Sequence, residues 1–446
     1  MKRYQSDHLL PYYIEKGLAG IDETDPFIFS WSNMHLVSFL TGSKNIKRQS
    51  KSNHLCFPSP TFIDHKELQV IPKLKRQDIL EGMIVDDKRG LVLVDKNIMK
   101  KFRGIISDMI KQILQVWLKP ISLKIALFEP KSTLHRITDY WSFAPQFLYK
   151  AAMADSPLER MKHVIAFAIS GFYIPTKQLK PFNPLIGETF QGEFDNGAKV
   201  YVEHISHYPN FARFLVVDEN FKIHGNFEFN AKQEGFGSKI FVTQQGPINI
   251  EFIKTKETVV YNMPTIKLLN AASEEGRSAI WLGTIVFSDV KNNLQAFIEF
   301  AHDNKYVHGF KGLIYENNFQ NGPYKHQDQV KKCEGFKDWQ HKSSNYIKTN
   351  ILGNISGSWL EKLVIDEELL WDIETYVPNW IRPCTKVLPS DGRFREDLIW
   401  LHRSFNSSTE TQRVKYEEYA QGWKVAIEQV QRAEREIRKK NKKKMK

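Results

Sequence analysis

The spacing of apolar residues changes period twice along this chain. From Asn97 to Trp117, residues Phe102, Ile105, Ile106, Met109, Ile110 and Ile113 recur at helical spacing, which predicts an amphipathic helix ending before Pro120. Ile121, Leu123, Ile125 and Leu127 then alternate with smaller or polar residues, the period of a half-buried strand. Two helices are expected next. The second opens on a capping box, with Ser156 as cap, Pro157 at the first position and Glu159 three residues after the cap. Beyond residue 188 the period falls to two. Strands are expected at Phe190 to Phe194, Val200 to Ile205, Phe214 to Val217, Phe227 to Phe229, Lys239 to Thr243 and Ile248 to Ile253. Val259 to Tyr261, Ala279 to Phe287, Leu294 to Phe300 and Phe310 to Tyr315 continue the series, and Asp195-Asn196-Gly197 and Gln245-Gly246-Pro247 supply turns. Many short sequential strands predict a large antiparallel sheet. Such a sheet curls, and closure removes its edges. The expected fold is therefore β-rich α+β: a large near-closed antiparallel β-barrel with helices packed outside, wide enough to hold a cavity.

The ends read differently. Residues 1 to about 95 are interrupted by Pro58, Pro60 and Pro72, and predict short elements and loops. After the sheet, Pro378, Pro383 and Pro389 imply irregular chain. One long polar helix is then expected from Thr409 to Lys440, broken or weakened near Gly422.

Composition and charge refine this picture. Aromatics make up 13% of 446 residues, with 30 Phe, which favours strands and apolar cavities over a lean helical bundle. Cys56, Cys333 and Cys384 lie far apart, and an odd count suits a reducing compartment. The net charge is +12, but Arg432 to Lys446 holds nine basic against two acidic residues, so most of the excess is a basic tail on a nearly balanced body. The longest apolar stretch, His163 to Pro175, is about half of the roughly 20 residues that a spanning helix needs. No apolar run follows Lys2 and Arg3, so no signal peptide is read. These features predict a cytoplasmic protein that meets membranes from the water side.

Three places could carry chemistry. In Lys180-Pro181-Phe182-Asn183-Pro184-Leu185-Ile186-Gly187-Glu188-Thr189-Phe190, two prolines stiffen the chain and Gly187 permits a tight bend. A cation and an amide fixed in such a loop, Lys180 and Asn183, suit a phosphate or polar headgroup, although an ordinary rim turn has the same spacing. In Glu203-His204-Ile205-Ser206-His207-Tyr208-Pro209, strand geometry sends His204 and His207 to opposite faces, which argues against a metal. A histidine at a strand end can still donate to an anion. Lys424, Glu428 and Arg432 share one helical stripe, where Glu428 could hold Arg432 and aim both cations at one anion; a solvated salt-bridged face fits the spacing equally. No P-loop, dinucleotide fingerprint or Cys-x-x-Cys is present, and no cofactor is expected.

Together these blocks resemble the oxysterol-binding protein-related lipid-transfer proteins. Lys180 to Phe190 is similar to that family's lysine-proline, asparagine-proline, glycine-glutamate segment, and Glu203 to Pro209 to its Glu-Gln-Val-Ser-His-His-Pro-Pro fingerprint. Glu129-Pro130-Lys131-Ser132, Leu158-Glu159-Arg160-Met161, Leu388-Pro389-Ser390-Asp391, Arg393-Phe394-Arg395 and Lys424/Glu428/Gln431/Arg432 continue the match in order. The resemblance implies a barrel around a lipid tunnel with an N-terminal lid and C-terminal helices. It implies lipid transfer between membranes, with phosphatidylinositol 4-phosphate exchanged for a sterol or phosphatidylserine. It places Lys180, Asn183, His207, Tyr208, Lys424, Glu428 and Arg432 around the headgroup. Tyr208 stands where the family has a second histidine; it can donate a hydrogen bond but cannot become cationic.

The domain layout expected is an N-terminal extension and lid region over residues 1–95, a lipid-binding domain over 96–440 and a basic tail over 441–446. Lys439 to Lys446 is expected to be a flexible contact to anionic membrane. Three other functions stand beside this one. A lipid-responsive adaptor would bind lipid without net transfer. A hydrolase using Ser206 and His207 is disfavoured, because adjacent strand side chains diverge and no nucleophile elbow is present. A nucleic-acid binder would rest on the tail alone, and no nucleic-acid partner is expected.

Overall fold

The computed structural model describes residues 83–93, 123–174, 179–207, 209–234, 239–270, 277–301, 303–317, 350–384 and 386–444. The chain divides into two compact units, residues 63–428 and residues 1–62 with 429–446. The larger unit carries the sheet. Its first strands are β1 (Met83–Asp86), β2 (Gly90–Leu93), β3 (Phe128–Ser132), β4 (Lys180–Phe182), β5 (Thr189–Glu193), β6 (Lys199–His207) and β7 (Asn210–Val217). Then come β8 (Phe221–Glu234), β9 (Lys239–Gln245), β10 (Ile248–Phe252), β11 (Glu257–Tyr261), β12 (Thr265–Leu269) and β13 (Ser278–Asp289). The last are β14 (Leu294–Phe300), β15 (Gly309–Glu316), β16 (Ile351–Ser358), β17 (Lys362–Ile365), β18 (Glu368–Asp372) and β19 (Arg382–Pro383). The helices are α1 (Thr133–Thr138), α2 (Ala144–Met153), α3 (Pro157–Ser170), α4 (Glu396–Phe405) and α5 (Glu410–Lys444).

Seventeen of these strands form one antiparallel sheet, and β3 and β4 form a separate parallel pair. The sheet runs from β19 and β5 through β6, β7 and β8 to β13, and on through β14 to β18. Two long strands make the broad middle. The first half of β8 pairs with β10 and its second half with β9. The first half of β13 pairs with β12, its end with β11, and its opposite edge with β14 and β2.

Strands form where alternation puts apolar side chains on one face. On β7, Ala212, Phe214 and Val216 are buried while the residues between them are half-buried. That inner face carries a chain of rings: Trp141 lies 4.8 Å from Phe214, and Phe214 stacks on Phe227 at 4.4 Å. Trp281 stacks on Phe172 at 4.7 Å and donates its indole N–H to the Phe172 carbonyl. At the start of α3, Ser156 accepts from the Glu159 amide as the capping box predicts. The buried Arg160 of that helix pairs with Glu257 of β11. A second, smaller core joins Leu93, Ile125, Leu127, Phe128, Phe182, Leu398, Leu401 and Ala420, tying the β3–β4 pair to α4 and α5.

Several elements differ from the sequence reading. Ile125–Leu127 is a turn of 3₁₀ helix rather than a strand, because Gln421 takes the Ile125 amide at 2.6 Å and β3 starts only at Phe128. Helix α5 runs unbroken through Gly422, since the buried Ala420 and Lys424 anchor it on both sides of that residue. It also continues to Lys444, into the stretch expected to be flexible; Lys and Arg are good helix formers and no proline interrupts them. Strands β16 to β18 occupy chain that patterning left irregular. Glycines dilute the alternation of β16, and Gly357 is required there: its φ is +149°, and a Cβ would meet the Lys362 carbonyl oxygen at 2.1 Å. The Asn97–Trp117 helix and the lid region before residue 83 lie outside the described residues. Among the described residues no helix is long and apolar enough to cross a membrane.

Phe227→Ala removes the middle of the ring chain. It is expected to cost about 3–5 kcal/mol of stability in urea unfolding, the range for a fully buried phenylalanine.

Candidate functional site

The histidine segment shows how one extra residue re-aims a side chain. On β6, Val200, Val202 and His204 face inward, opposite Val216, Phe214 and Ala212 of β7. Between His204 and Ser206 the register shifts, so that Ser206 lies opposite Phe211 and His207 opposite Asn210. Ile205 is the bulged residue. The bulge returns His207 to the inner face, where Nδ1 lies 2.8 Å from Nε2 of His204. The expectation of opposite faces is thus overturned: a period of two holds only in an unbroken strand. Ser206 faces away from His207. His204 is fully buried, and burial followed by the nearby His207 pulls its pKa down to about 3.

The proline-rich loop is anchored to the same strand. The Gly187 amide donates to the His204 carbonyl at 2.8 Å, and the His204 amide to the Glu188 carbonyl at 2.9 Å. Gly187 has φ +77°, as the tight bend requires. The loop's inner side is held by Arg395, which is 7% exposed. Its guanidinium donates to the Asn183 carbonyl and to Glu188 Oε2, each at 2.8 Å, and to both oxygens of Asp397. Glu188 Oε2 also accepts the Leu185 amide at 2.9 Å. Burial alone would lower the pKa of Arg395; the two carboxylates more than offset this and raise it. Burial raises the pKa of Glu188 against the pull of Arg395.

A cation cluster sits on the second core. Lys180, on β4, donates to Asn183 Oδ1 at 2.9 Å and to the Pro181 carbonyl at 3.0 Å. Lys424 is 3% exposed and pairs with Glu428 at 2.8 Å, one helical turn on. Both ammonium groups lie over the ring of Phe128, each 4.9 Å from its centroid. Burial and then the charge of Lys424 pull the pKa of Lys180 down to about 8. Such a cluster can receive an anion.

The inner face of the sheet continues from this end into an apolar interior. Ile240 and Val242 on β9 share the face of Gln244, and Ile266 and Leu268 on β12 lie opposite them. With Phe229 they form a half-covered wall. The wall ends at a narrow crevice lined by Trp141, Phe172, Phe227, Gln244, Tyr261 and Met263. Gln244 is buried there, and its amide nitrogen has no hydrogen-bond partner among the described residues.

The oxysterol-binding protein family model matches residues 106–446. The chain belongs to this family. Oxysterol-binding protein 9 of Dictyostelium discoideum is 30% identical over 321 residues, covering 69% of this chain and 72% of that protein. Human oxysterol-binding protein-related protein 8 is 25% identical over 332 residues, covering 70% of this chain but 34% of the relative. The fold is similar to that of the yeast Osh3 ORD solved with PI(4)P, with a TM-score of 0.53 and 22% identity over 75% of this chain and 84% of that one. It is also similar to the Osh1 ORD solved with cholesterol, with a TM-score of 0.54 and 16% identity over 81% of this chain and 84% of that one.

Within this oxysterol-binding protein fold, the structure brings Lys180 to Asn183 and joins Lys424 to Glu428, and it turns His207 inward. Glu428 pairs with Lys424, one turn before it on α5. Arg432 lies one turn further along α5, in the part of the helix that belongs to the smaller unit. Tyr208 lies outside the described residues. Patterning missed the roles of Arg395 as the loop's clamp and Phe128 as the shared ring. The Arg395/Asp397 pair and the glutamate after Gly187 were visible as residues, but only folding reveals that they meet.

The buried His204 gives stability a pH dependence of definite sign. An unfolded imidazole takes up a proton near pH 6.5, while the folded one resists until about 3. Stability is therefore expected to fall as pH drops from about 6.5 towards 3, and His204→Gln to flatten that slope in urea midpoints measured across the range.

Proposed function

We propose that this chain binds phosphatidylinositol 4-phosphate and transfers it between membranes in exchange for a second lipid, a sterol or phosphatidylserine. The observation that carries the reading is the pair of lysine ammonium groups on Phe128, set beside the rigid Lys180–Phe190 loop. Two cations in a partly dry setting favour a multiply charged phosphate over a zwitterionic headgroup. Lys180, Asn183, His207 and Lys424 would contact the phosphates, and Glu428 would orient Lys424. Tyr208 and Arg432 are assigned to the same headgroup by family resemblance. The apolar wall suits acyl chains or a sterol by burial, at about 25 cal/mol per Å². The unpartnered Gln244 amide, on the face of that wall, suits a single lipid hydroxyl. The family membership and the ligands of the Osh3 and Osh1 structures support this reading.

Native mass spectrometry of the protein after incubation with mixed liposomes tests it. The expected result is one lipid per chain, with phosphatidylinositol 4-phosphate and a second lipid replacing one another. Protein that emerges empty would sink the reading; a lipid held without exchange would assign the chain a sensor role instead. Lys180→Ala is expected to lower phosphoinositide extraction about tenfold or more, since a charge-assisted hydrogen bond is lost, while leaving the unfolding curve in place. Removing residues 439–446 is expected to weaken docking on anionic liposomes by up to about 1 kcal/mol per basic residue while lipid occupancy stays unchanged.

A further inference from the structure

We propose that Phe128 is a positioning residue for headgroup recognition: its ring holds the Lys180 and Lys424 ammonium groups together as one anion-binding pair. This rests on the headgroup reading above and adds a residue to it. The two lysines come from distant parts of the chain, one from β4 and one from α5. Each has a local partner, Asn183 for Lys180 and Glu428 for Lys424. Phe128 is the group that both approach, at 4.9 Å from the ring centroid in each case. Like charges brought this close repel, and lysine stems are flexible enough to swing apart. The face of an aromatic ring carries negative potential, so it attracts both ammonium groups without neutralising either. A carboxylate in the same place would hold them too, but would compete with the anionic ligand.

The ring is itself fixed. Phe128 is 3% exposed and is the register partner of Lys180 in the parallel β3–β4 pair. Its ring packs on Phe182 at 4.8 Å, and the Arg395 guanidinium lies 5.5 Å from the Phe182 centroid. Two touching rings thus carry three cations. Arg395 is matched by Glu188 and Asp397, which leaves the lysine pair with Glu428 as its nearby carboxylate. The charged groups acting on Lys180 are Lys424, Glu428 and Arg395, and burial with the two cations lowers its pKa to about 8. Phosphoinositide extraction should therefore weaken as pH rises through about 8, where Lys180 loses its charge.

The test uses the full chain and phosphatidylcholine vesicles carrying phosphatidylinositol 4-phosphate, with extraction followed from neutral to alkaline pH. Phe128→Leu keeps an apolar side chain and removes the ring. It is expected to lower extraction about tenfold and to move the alkaline midpoint to lower pH, because the cationic form of Lys180 loses its ring. Phe128→Trp, with the strongest ring quadrupole, is expected to retain extraction and hold the midpoint at or above that of wild type. A purely packing role would move no midpoint. If both variants reproduce the wild-type profile, the positioning role is overturned while the headgroup reading stands. If the Leu variant does not fold, a Trp variant whose midpoint falls below wild type overturns the role as well. Wild-type protein that extracts none of this lipid at any pH removes both ideas together.

Discussion

The site depends on one buried arginine. Arg395 reaches from the segment before α4 into the loop between β4 and β5, and there it satisfies a backbone carbonyl and a carboxylate at once. A buried guanidinium is tolerated only when its charge and its donors are both matched. Glu188 and Asp397 supply the charge, and Asn183 supplies the remaining acceptor. Because Glu188 also takes the Leu185 amide, and its own backbone pairs with His204, the network fixes loop and strand relative to each other. Loss of Glu188 would leave Arg395 with Asp397 but would take an acceptor from both the buried guanidinium and the Leu185 amide, a desolvation cost that an exposed ion pair does not carry.

The two cores divide the labour. The large one, lined by Trp141, Phe214 and Phe227, gives the sheet an inner face that excludes water. The small one, centred on Phe128 and Phe182, gathers the β3–β4 pair, α4 and α5. In the function proposed above, polar recognition would rest on the small core and apolar storage on the large one. An amphipathic guest needs both kinds of surface, and neither core supplies them alone.

Much of this was legible in sequence. Alternation located most strands from β5 to β15, and the turns at Asp195-Asn196-Gly197 and Gln245-Gly246-Pro247 fell where expected. The ordered blocks pointed to the family before any contact was known. What failed was what pattern cannot encode. A bulge at Ile205 costs no unusual residue, yet it reverses the side on which His207 lies. Ile125–Leu127 alternates like a strand, but a glutamine nearly three hundred residues away claims its amide. Strands β16 to β18 contain glycine and short runs, and they form because β15 offers them an edge. The lysine pair on Phe128 was invisible because the two lysines and the ring come from three separate elements.

The hairpin of β1 and β2 has a consequence for how the chain is made. Leu91 and Val92 pair with Ala279 and Ser278, roughly 190 residues later in the chain. At about 5–20 residues per second, a ribosome needs about 10–40 s to cover that interval. Leu91, Val92 and Leu93, all buried in the finished protein, have no sheet to join during this time. They present an apolar strand with an open edge, the kind of segment that chaperones hold and that aggregates when left unattended. The vulnerable moment for this molecule is therefore its synthesis, before β13 has emerged, rather than its working life once the sheet has formed.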